Sequence, residues 1–312
     1  MNIVPIAFAF DNNLVMPACI CISSLMMNAK EDTFYDIFIL HSASENLNKS
    51  DLDRIPEFYK NCRIQYREVG NEFDGAFEIR GITTPAYYRL LIPELIPEYD
   101  KVLYSDVDVI FRMDLCELYS IDLGDNYIAA TRDLGLNLGK DGRKYIDSMS
   151  DLHCGDYIQS GFIILNSAQI NKDGLVPKFK LVAKRNLKYQ DQDTLNIVCY
   201  GKILYLSLEY NMTDYSFFYA LKEREMLQDL YDNNTIDNAI QFGNLHFNGH
   251  KPWKKYCVNF DIWWEYYRKS PFYDEKFYFD FFYKKLDELD QLPLMKRIKI
   301  LIRYFIYGRY KG

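Results

Sequence analysis

The sequence of 312 residues predicts an α/β fold with a mostly parallel sheet flanked by helices, and two observations support this class. First, apolar runs of strand length alternate with segments of helix length, which is the order of successive βαβ units. Second, 49% hydrophobic and 26% charged residues are typical of a folded globular chain with a large core. Disordered, collagen-like and low-complexity proteins are therefore excluded.

The predicted strands cover residues 3–10, 37–40, 63–69, 101–104, 127–131, 162–165 and 239–246. The predicted helices cover residues 17–28, 47–60, 84–95, 261–268 and 271–289, with another helix that begins at Asp191. Thr84 precedes Pro85, and a capping hydroxyl before a first-turn proline is typical of a helix start. Asp191 and Gln192 precede an apolar helical face, so we expect both at a helix N-terminus, where polar ligands often bind.

The formal net charge of −7 argues against a nucleic-acid-binding protein, which usually has a basic face. The charge is uneven, because residues 293–312 hold six of the 37 basic residues and none of the 44 acids, which leaves −13 on the rest. No apolar run approaches the roughly 20 residues that cross a bilayer, and the N-terminus lacks signal-peptide features. We therefore expect a cytoplasmic protein. The seven cysteines form no CxxC pair and are interpreted as reduced, mostly buried thiols.

The basic C-terminal segment mixes cations with bulky apolar side chains over residues 294–307. This pattern predicts a helix that lies in an anionic membrane interface, so the protein would be peripheral on the cytoplasmic face of the membrane. Alternatively, the segment is a docking helix that packs on the acidic remainder of the chain.

Paired acids occur in three D-x-D triplets, and their context separates them. Asp106 and Asp108 follow the apolar strand 101–104, at the carboxyl end where open α/β sheets bind ligands. Asp51 and Asp53 precede a helical pattern and are interpreted as a solvated first turn. Because two neighbouring buried carboxylates are costly without a cation, the pair at 106 and 108 predicts a metal site; the alternative is a turn or cap.

A second cluster of chemistry-bearing residues begins at His246, after the last predicted strand. Carboxylates with an imidazole suit Mn²⁺ or Mg²⁺, which makes His246 the candidate third ligand. Gly249 permits close backbone approach, and Lys251 supplies a positive charge for a phosphate. Together these residues predict a diphosphate-binding site, in which departure of a nucleoside diphosphate would be favoured.

Six ordered blocks of this sequence resemble glycosyltransferase family 8, the retaining, metal-dependent nucleotide-sugar transferases. The blocks are AFAFDN at 7–12, ITTPAYYRL at 82–90, DKVLYSDVDV at 100–109, SGFIILN at 160–166, YQDQD at 189–193 and HFNGHKPW at 246–253. The resemblance implies a GT-A-like, Rossmann-like fold, which we assign to residues 1–255. The sequence pattern itself predicts an aromatic-rich helical extension at 256–290 and the basic tail at 291–312. It also implies Mn²⁺, with Mg²⁺ as an alternative, a UDP-hexose donor (glucose or galactose) and a glycan or glycolipid acceptor.

The resemblance also implies roles for individual residues. The metal ligands would be Asp106, Asp108 and His246. Donor-binding residues would be Ala9, Asp11, Asn12, Arg89, Asp106, Val107, Asp133, Gln159, Gly249 and Lys251. Gln192 and Asp191 would lie at the reacting sugar, and a same-face mechanism is favoured over a covalent intermediate on Asp191.

Other interpretations stay open for single residues and for the whole chain. Asp133 could cap a turn, Arg89 could pair with a surface acid, and Asp11 with Asn12 could form a turn cluster. A non-catalytic glycan-binding or scaffold protein could keep this fold, and a metal-dependent nucleotidyltransferase could use similar paired acids. The product separates them, since a nucleotidyltransferase releases pyrophosphate rather than UDP.

Overall fold

A computed structural model describes residues 2–73, 77 and 84–307, without the side chains of residues 303, 304, 306 and 307. The strands of these residues are β1 (Asn2–Ala9), β2 (Thr33–Ser42), β3 (Cys62–Val69), β4 (Val102–Ser105), β5 (Val109–Ile110), β6 (Ile128–Arg132), β7 (Ile158–Leu165), β8 (Ile203–Tyr205), β9 (Met212–Thr213) and β10 (Leu245–His246). One sheet has the order β3-β2-β1-β4-β7-β6-β8, and a small second sheet has the order β5-β10-β9.

The α-helices surround these sheets. They are α1 (Val15–Met27), α2 (Ile55–Phe58), α3 (Ile92–Leu95), α4 (Cys116–Ser120), α5 (Leu134–Leu138), α6 (Lys140–Asp147), α7 (Ser167–Lys172), α8 (Val176–Ala183), α9 (Gln190–Val198), α10 (Asp214–Lys222), α11 (Asn233–Phe242), α12 (Phe260–Lys269), α13 (Glu275–Asp290) and α14 (Leu294–Tyr307). Short 3₁₀ helices cover Asn12–Leu14, Leu52–Arg54, Thr84–Leu91, Leu208–Tyr210 and Arg224–Leu227.

The large sheet is parallel except at β7, which runs antiparallel to β4 and β6. Alternate side chains of β1 enter two different cores: Ile6 and Phe8 pack in the core that includes α1, and Ala7 packs in the core that includes α8 and α9. Because both faces are covered, the central strand β1 is a continuous apolar run over residues 3–9. The predicted α/β class with a mostly parallel sheet is confirmed.

The strand expected at 239–246 is wrong for most of its length. Residues 233–242 form α11, and only Leu245 and His246 are in a strand. The Asp232 carboxylate caps this helix by accepting the Thr235 N–H at 2.7 Å. Ile236 and Ala239 are buried on one face of α11, so the apolar run belongs to a helix face.

Two expected helices are shorter than the sequence pattern indicates. In 47–60, the helical residues are the 3₁₀ turn Leu52–Arg54 and the four residues of α2. In 84–95, a 3₁₀ helix precedes α3, whose Pro93 supplies no backbone N–H to continue the previous turn. Residues 82 and 83 of the ITTPAYYRL block lie outside the described residues.

Three helices follow the sheets. Trp264 of α12 packs against Phe281 and Phe282 of α13, with ring centroids 4.7 and 5.1 Å apart. The helix expected at 294–307 is present as α14, and residues 308–312 of the basic tail lie outside the described residues. Among the described residues, we find no helix with the length and apolar character needed to span a bilayer.

Candidate active site

Two strand pairings bring Asp106, Asp108 and His246 together from distant parts of the chain. The β4–β7 ladder ends with the Asp106 N–H donating to the Gly161 carbonyl at 2.7 Å. In the small sheet, His246 lies opposite Val109, and the Phe247 N–H donates to the Asp108 carbonyl at 2.9 Å. Each acid therefore has its backbone fixed beside the imidazole.

The three side chains form a compact cluster, with one ligand atom from each lying within 4.8 Å of the others. His246 Nε2 is 3.2 Å from Asp108 Oδ1 and 3.7 Å from Asp106 Oδ2. The His246 side chain is 1% exposed and that of Asp106 is 29% exposed, so the cluster is reached from the Asp106 side.

A chain of amides sets the orientation of the imidazole. The Gln159 Oε1 atom accepts the Gly161 N–H at 2.6 Å and the Asn211 Nδ2 at 2.8 Å. Asn211 Oδ1 therefore faces His246 Nδ1 at 2.9 Å, which places the proton on Nδ1 and leaves the Nε2 lone pair free. Gln159 was expected to bind the donor, whereas Asn211 belongs to no sequence block and was missed.

The cluster fits a divalent cation. Asp108 Oδ1 is buried, and none of the described residues donates a hydrogen bond to it. His246 Nε2 lies 3.2 Å away but carries a lone pair in this tautomer, so it does not donate either. Two acceptors that face each other in this way are satisfied by a cation between them, and carboxylates with an imidazole suit Mn²⁺ or Mg²⁺. Burial alone would raise the pKa of Asp108, but the adjacent Lys251 ammonium opposes this effect and holds that pKa below its usual value.

The residues expected to contact the diphosphate lie beside this cluster. The Lys251 ammonium donates to Asp108 Oδ2 and, at 2.7 Å, to the Phe247 carbonyl. A side chain at Gly249 would collide with the Asp214 carboxylate, which would have to move away, so glycine lets this carboxylate lie against the loop. Lys251 is thus part of the acidic cluster itself, an arrangement that the sequence pattern does not indicate.

Arg89 connects the acidic cluster with the start of α9. Its guanidinium donates to Asp106 Oδ1 at 2.7 Å and to the Ser160 carbonyl at 2.6 Å, and its Nε lies 3.2 Å from Asp191 Oδ2. The Ser160 hydroxyl also donates to Asp191 at 2.8 Å. Burial raises the pKa of Asp191 to about 6; the positive charge of Arg89 opposes this shift and the negative charge of Asp106 adds to it.

Gln192 is held at both ends of its amide. Its Oε1 accepts the Ser160 N–H at 3.1 Å, and its Nε2 donates to Asp133 Oδ2 at 3.0 Å. The other oxygen of Asp133 accepts the Leu136 N–H at 3.0 Å, so Asp133 caps α5 while it orients Gln192. Burial raises the pKa of Asp133.

The turn at the start of α9 is held by hydrogen bonds to Asp193, which the sequence pattern did not indicate. Gln190 has a left-handed backbone with φ of 43°, which is uncommon for a residue with a side chain. Asp193 is fully buried and accepts the hydroxyls of Tyr145 and Tyr157, each at 2.5 Å, and the Tyr189 N–H at 2.8 Å. These bonds fix the turn that presents residues 191 and 192 to the site.

The first loop makes mostly local contacts. Asp11 accepts the Asn13 N–H at 2.9 Å and caps the 3₁₀ helix that follows it. Asn12 donates to the carbonyl of residue 46 at 3.0 Å and accepts the backbone N–H of residue 48 at 2.7 Å. Ala9 ends β1, so the described contacts do not connect Ala9, Asp11 or Asn12 with the acidic cluster. Val107 stands between the two aspartates of the cluster, with its side chain buried in a core.

Comparisons with known proteins agree with this architecture. The model of the family described as "Glycosyl transferase family 8" matches residues 5–257. A putative glycosyltransferase of Haemophilus influenzae is 27% identical over 219 residues, which are 68% of this chain and 63% of that protein. This chain therefore spans less than two thirds of that relative. A lipopolysaccharide 1,2-glucosyltransferase of Escherichia coli is 26% identical over 260 residues, or 80% and 72% of the two chains.

A solved structure of the galactosyltransferase LgtC with donor and acceptor sugar analogues is similar in fold, with a TM-score of 0.68 and 24% identity. The match covers 88% of this chain and 98% of that one. The GT-A-like fold implied by the sequence blocks is therefore confirmed. Since the family model matches most of its length, this chain belongs to glycosyl transferase family 8.

Proposed function

We propose that this chain is a retaining hexosyltransferase that moves glucose or galactose from a UDP-sugar to a hydroxyl of a glycan or glycolipid. The observation that carries the proposal is the cluster of Asp106, Asp108 and His246 with Lys251 bound to one of its acids. The names of two similar proteins, a glucosyltransferase and a galactosyltransferase, support a hexose.

The acidic cluster would hold Mn²⁺, or alternatively Mg²⁺, through Asp106, Asp108 and His246. The ion supplies positive charge that stabilises a departing diphosphate. Lys251 adds a second cation on the same side, and Arg89 fixes Asp106 through a bond of 2.7 Å. Asn211 keeps the proton on Nδ1 of His246, so that Nε2 stays available as a ligand.

The contacts of Asp191 favour same-face transfer over a covalent intermediate. Its carboxylate is buried and engaged by Arg89 and Ser160, which makes it a poor nucleophile. In the proposed step the bond between the anomeric carbon and the phosphate oxygen breaks, and the electron pair leaves with UDP. The acceptor oxygen bonds to the anomeric carbon on the same face, and its proton passes to the departing phosphate. Gln192 Oε1 stabilises the positive sugar, so Gln192→Ala should lower turnover at saturating substrates.

We also propose that residues 293–312 attach the protein to the cytoplasmic face of an anionic membrane. Large apolar side chains of α14 are exposed, among them Leu294 at 71% and Phe305 at 83%. Such exposure favours an interfacial helix over one that packs on the body. A glycolipid acceptor would lie at the same surface.

One experiment separates the proposed reaction from the alternatives. In one arm the protein is incubated with Mn²⁺ and a panel of UDP-sugars, with and without acceptors; in a second arm it is incubated with Mn²⁺, UTP and hexose 1-phosphates. Both UDP and pyrophosphate are measured in each arm. We expect UDP release from UDP-glucose or UDP-galactose, its loss in EDTA and in Asp108→Asn, and its retention in Asp51→Asn, which removes an exposed acid of another D-x-D triplet. Pyrophosphate release would indicate a nucleotidyltransferase, and no product would indicate a binding protein.

A further inference from the structure

A cavity of about 490 Å³ extends along one face of α10. Asp214, Phe217, Phe218, Leu221 and Lys222 line it, and their spacing places them on a single stripe of the helix. The opposite wall comes from His250 and residues 255–258. We refer to this cavity as the α10 groove.

The inner end of the α10 groove lies beside the acidic cluster. Thr213 pairs with His246 in the small sheet, and Asp214 is the next residue of the chain. The Asp214 carboxylate occupies the space that a side chain at Gly249 would need, so it touches the loop that leads to Lys251. None of the described residues donates a hydrogen bond to this carboxylate, which leaves its oxygens available to hydroxyl groups.

The outer end of the α10 groove is positively charged. Lys222 follows Asp214 by eight residues, so the two lie about 12 Å apart along the helix axis. Lys255 lies on the facing wall. Within the described part of the chain, neither lysine takes part in an ion pair, whereas the nearby Arg224 is bound to Asp237 at 2.7 Å. Lys222 at the outer end and Lys255 on the facing wall are therefore two uncompensated ammonium groups that line one cavity, and such a pair favours a phosphate.

The middle of the α10 groove is apolar and aromatic, and the Phe218 side chain is 43% exposed there. Aromatic rings pack against the apolar faces of sugars while acids and amides bind their hydroxyls. An acid lies near the donor site, rings lie in the middle, Lys222 lies at the far end and Lys255 lies on the facing wall. This order matches one elongated ligand, a saccharide with a distal negative charge.

We propose that the α10 groove binds the acceptor and selects a saccharide that carries a phosphate on the sugar unit next to the one that reacts. This inference rests on the proposed function, because it assigns the second substrate of that reaction. Asp214 orients the reacting unit through its hydroxyls, and Lys222 and Lys255 bind the phosphate. The phosphate could be an ester on a glycan or the diphosphate of a lipid-linked saccharide, and both present the same charge to the lysines.

The test is a binding measurement on the full chain loaded with UDP and Mn²⁺. The probes are the pairs lactose and lactose 1-phosphate, and maltose and maltose 1-phosphate, with lactosyl diphosphate on a short isoprenoid as the lipid-linked arm. We expect the phosphorylated member to bind at least about 10-fold more tightly in one or both pairs. The Lys222→Met/Lys255→Met variant should lose this preference, and Lys254→Met, an exposed neighbour outside the groove, should keep it.

Each outcome decides the assignment. Equal affinity for both members of each pair would overturn the assignment, as would a phosphate preference that survives in the Lys222→Met/Lys255→Met variant. It would also be overturned if the Lys254→Met control lost the phosphate preference as fully as the double variant. Tighter binding of the isoprenoid arm than of lactose 1-phosphate would assign the phosphate to a lipid-linked acceptor. UDP release without a phosphate preference would contradict the groove assignment alone, and a phosphate preference without UDP release would contradict the proposed reaction alone.

Discussion

Replacing Gly161 by alanine perturbs the acidic cluster without substituting any of its three residues. Gly161 lies where β7 passes the end of β4, with its carbonyl bound to the Asp106 N–H. A methyl group at this position would lie 2.5 Å from Asp106 Oδ2 and would also collide with the His246 ring. The backbone cannot relieve this contact easily, because it is fixed in the antiparallel ladder.

The geometry sets the size of the effect. Ordinary contacts of a methyl carbon begin at 3.4 Å, so Asp106 or His246 must move by about 1 Å in the Gly161→Ala variant. Metal–ligand distances tolerate deviations of only about 0.2 Å, and overpacking of this kind costs about 1–3 kcal/mol. We expect Mn²⁺ to bind on the order of 100-fold more weakly, which corresponds to about 2.7 kcal/mol.

Mn²⁺ affinity is measured by titration calorimetry with UDP present, and folding is checked by thermal unfolding. Gly201→Ala is the matched control, because Gly201 has a φ of 77° with no atom near an added methyl and lies away from the cluster. The control should lower the melting temperature but keep wild-type Mn²⁺ affinity. Wild-type affinity in Gly161→Ala would refute the view that one cation contacts both Asp106 and His246.

Three further experiments test other parts of the site and the tail. Asn211→Leu removes the acceptor that orients the imidazole and should weaken Mn²⁺ binding about 10- to 100-fold in calorimetry; an unchanged value would contradict the orienting role. Burial raises the pKa of Asp191 to about 6, so the stabilisation from its protonated form is present below about pH 4 and is lost as pH rises through 6. In EDTA, the free energy of unfolding of the wild type should therefore fall by on the order of 3 kcal/mol relative to that of Asp191→Asn between pH 4 and 7. If the two plots of unfolding free energy against pH were parallel, the raised pKa of Asp191 would be contradicted. Reversing three tail charges, in Lys296→Glu/Arg297→Glu/Lys299→Glu, should abolish flotation with anionic liposomes, since each basic residue near such a surface contributes about 1 kcal/mol; equal flotation would exclude these charges from binding.

The sequence predicts the acidic pair well because its signal is local. Residues 102–104 are an apolar run within β4, and Asp106 and Asp108 follow directly after β4 ends at Ser105. In a parallel sheet that edge is where polar side chains collect, so chain order alone indicates a site. The position of Gln192 in the first turn of α9 is predictable for a similar reason, since the apolar face of α9 follows it.

Other features depend on contacts that sequence spacing does not encode. The apolar residues of 239–246 fit a strand or a helix face, and the choice is made by the Asp232 cap and by burial of Ile236 against a distant core. Asn211 has no neighbouring pattern that marks it, and its role arises only when β9 lies beside β10. Long-range pairing, rather than local propensity, therefore builds the supports of the site.

The pairing of Lys251 with Asp108 links the two predicted halves of the site more tightly than the sequence indicates. Without a divalent ion, the ammonium is the positive charge that compensates the buried Asp108 carboxylate. An ion bound among Asp106, Asp108 and His246 would take over that compensation and release the lysine, and a diphosphate brings the negative charge to which a released lysine would bind. Cation and diphosphate should consequently favour each other's binding. The cation would free the Lys251 ammonium from Asp108, and the diphosphate would supply the negative charge that the freed ammonium needs.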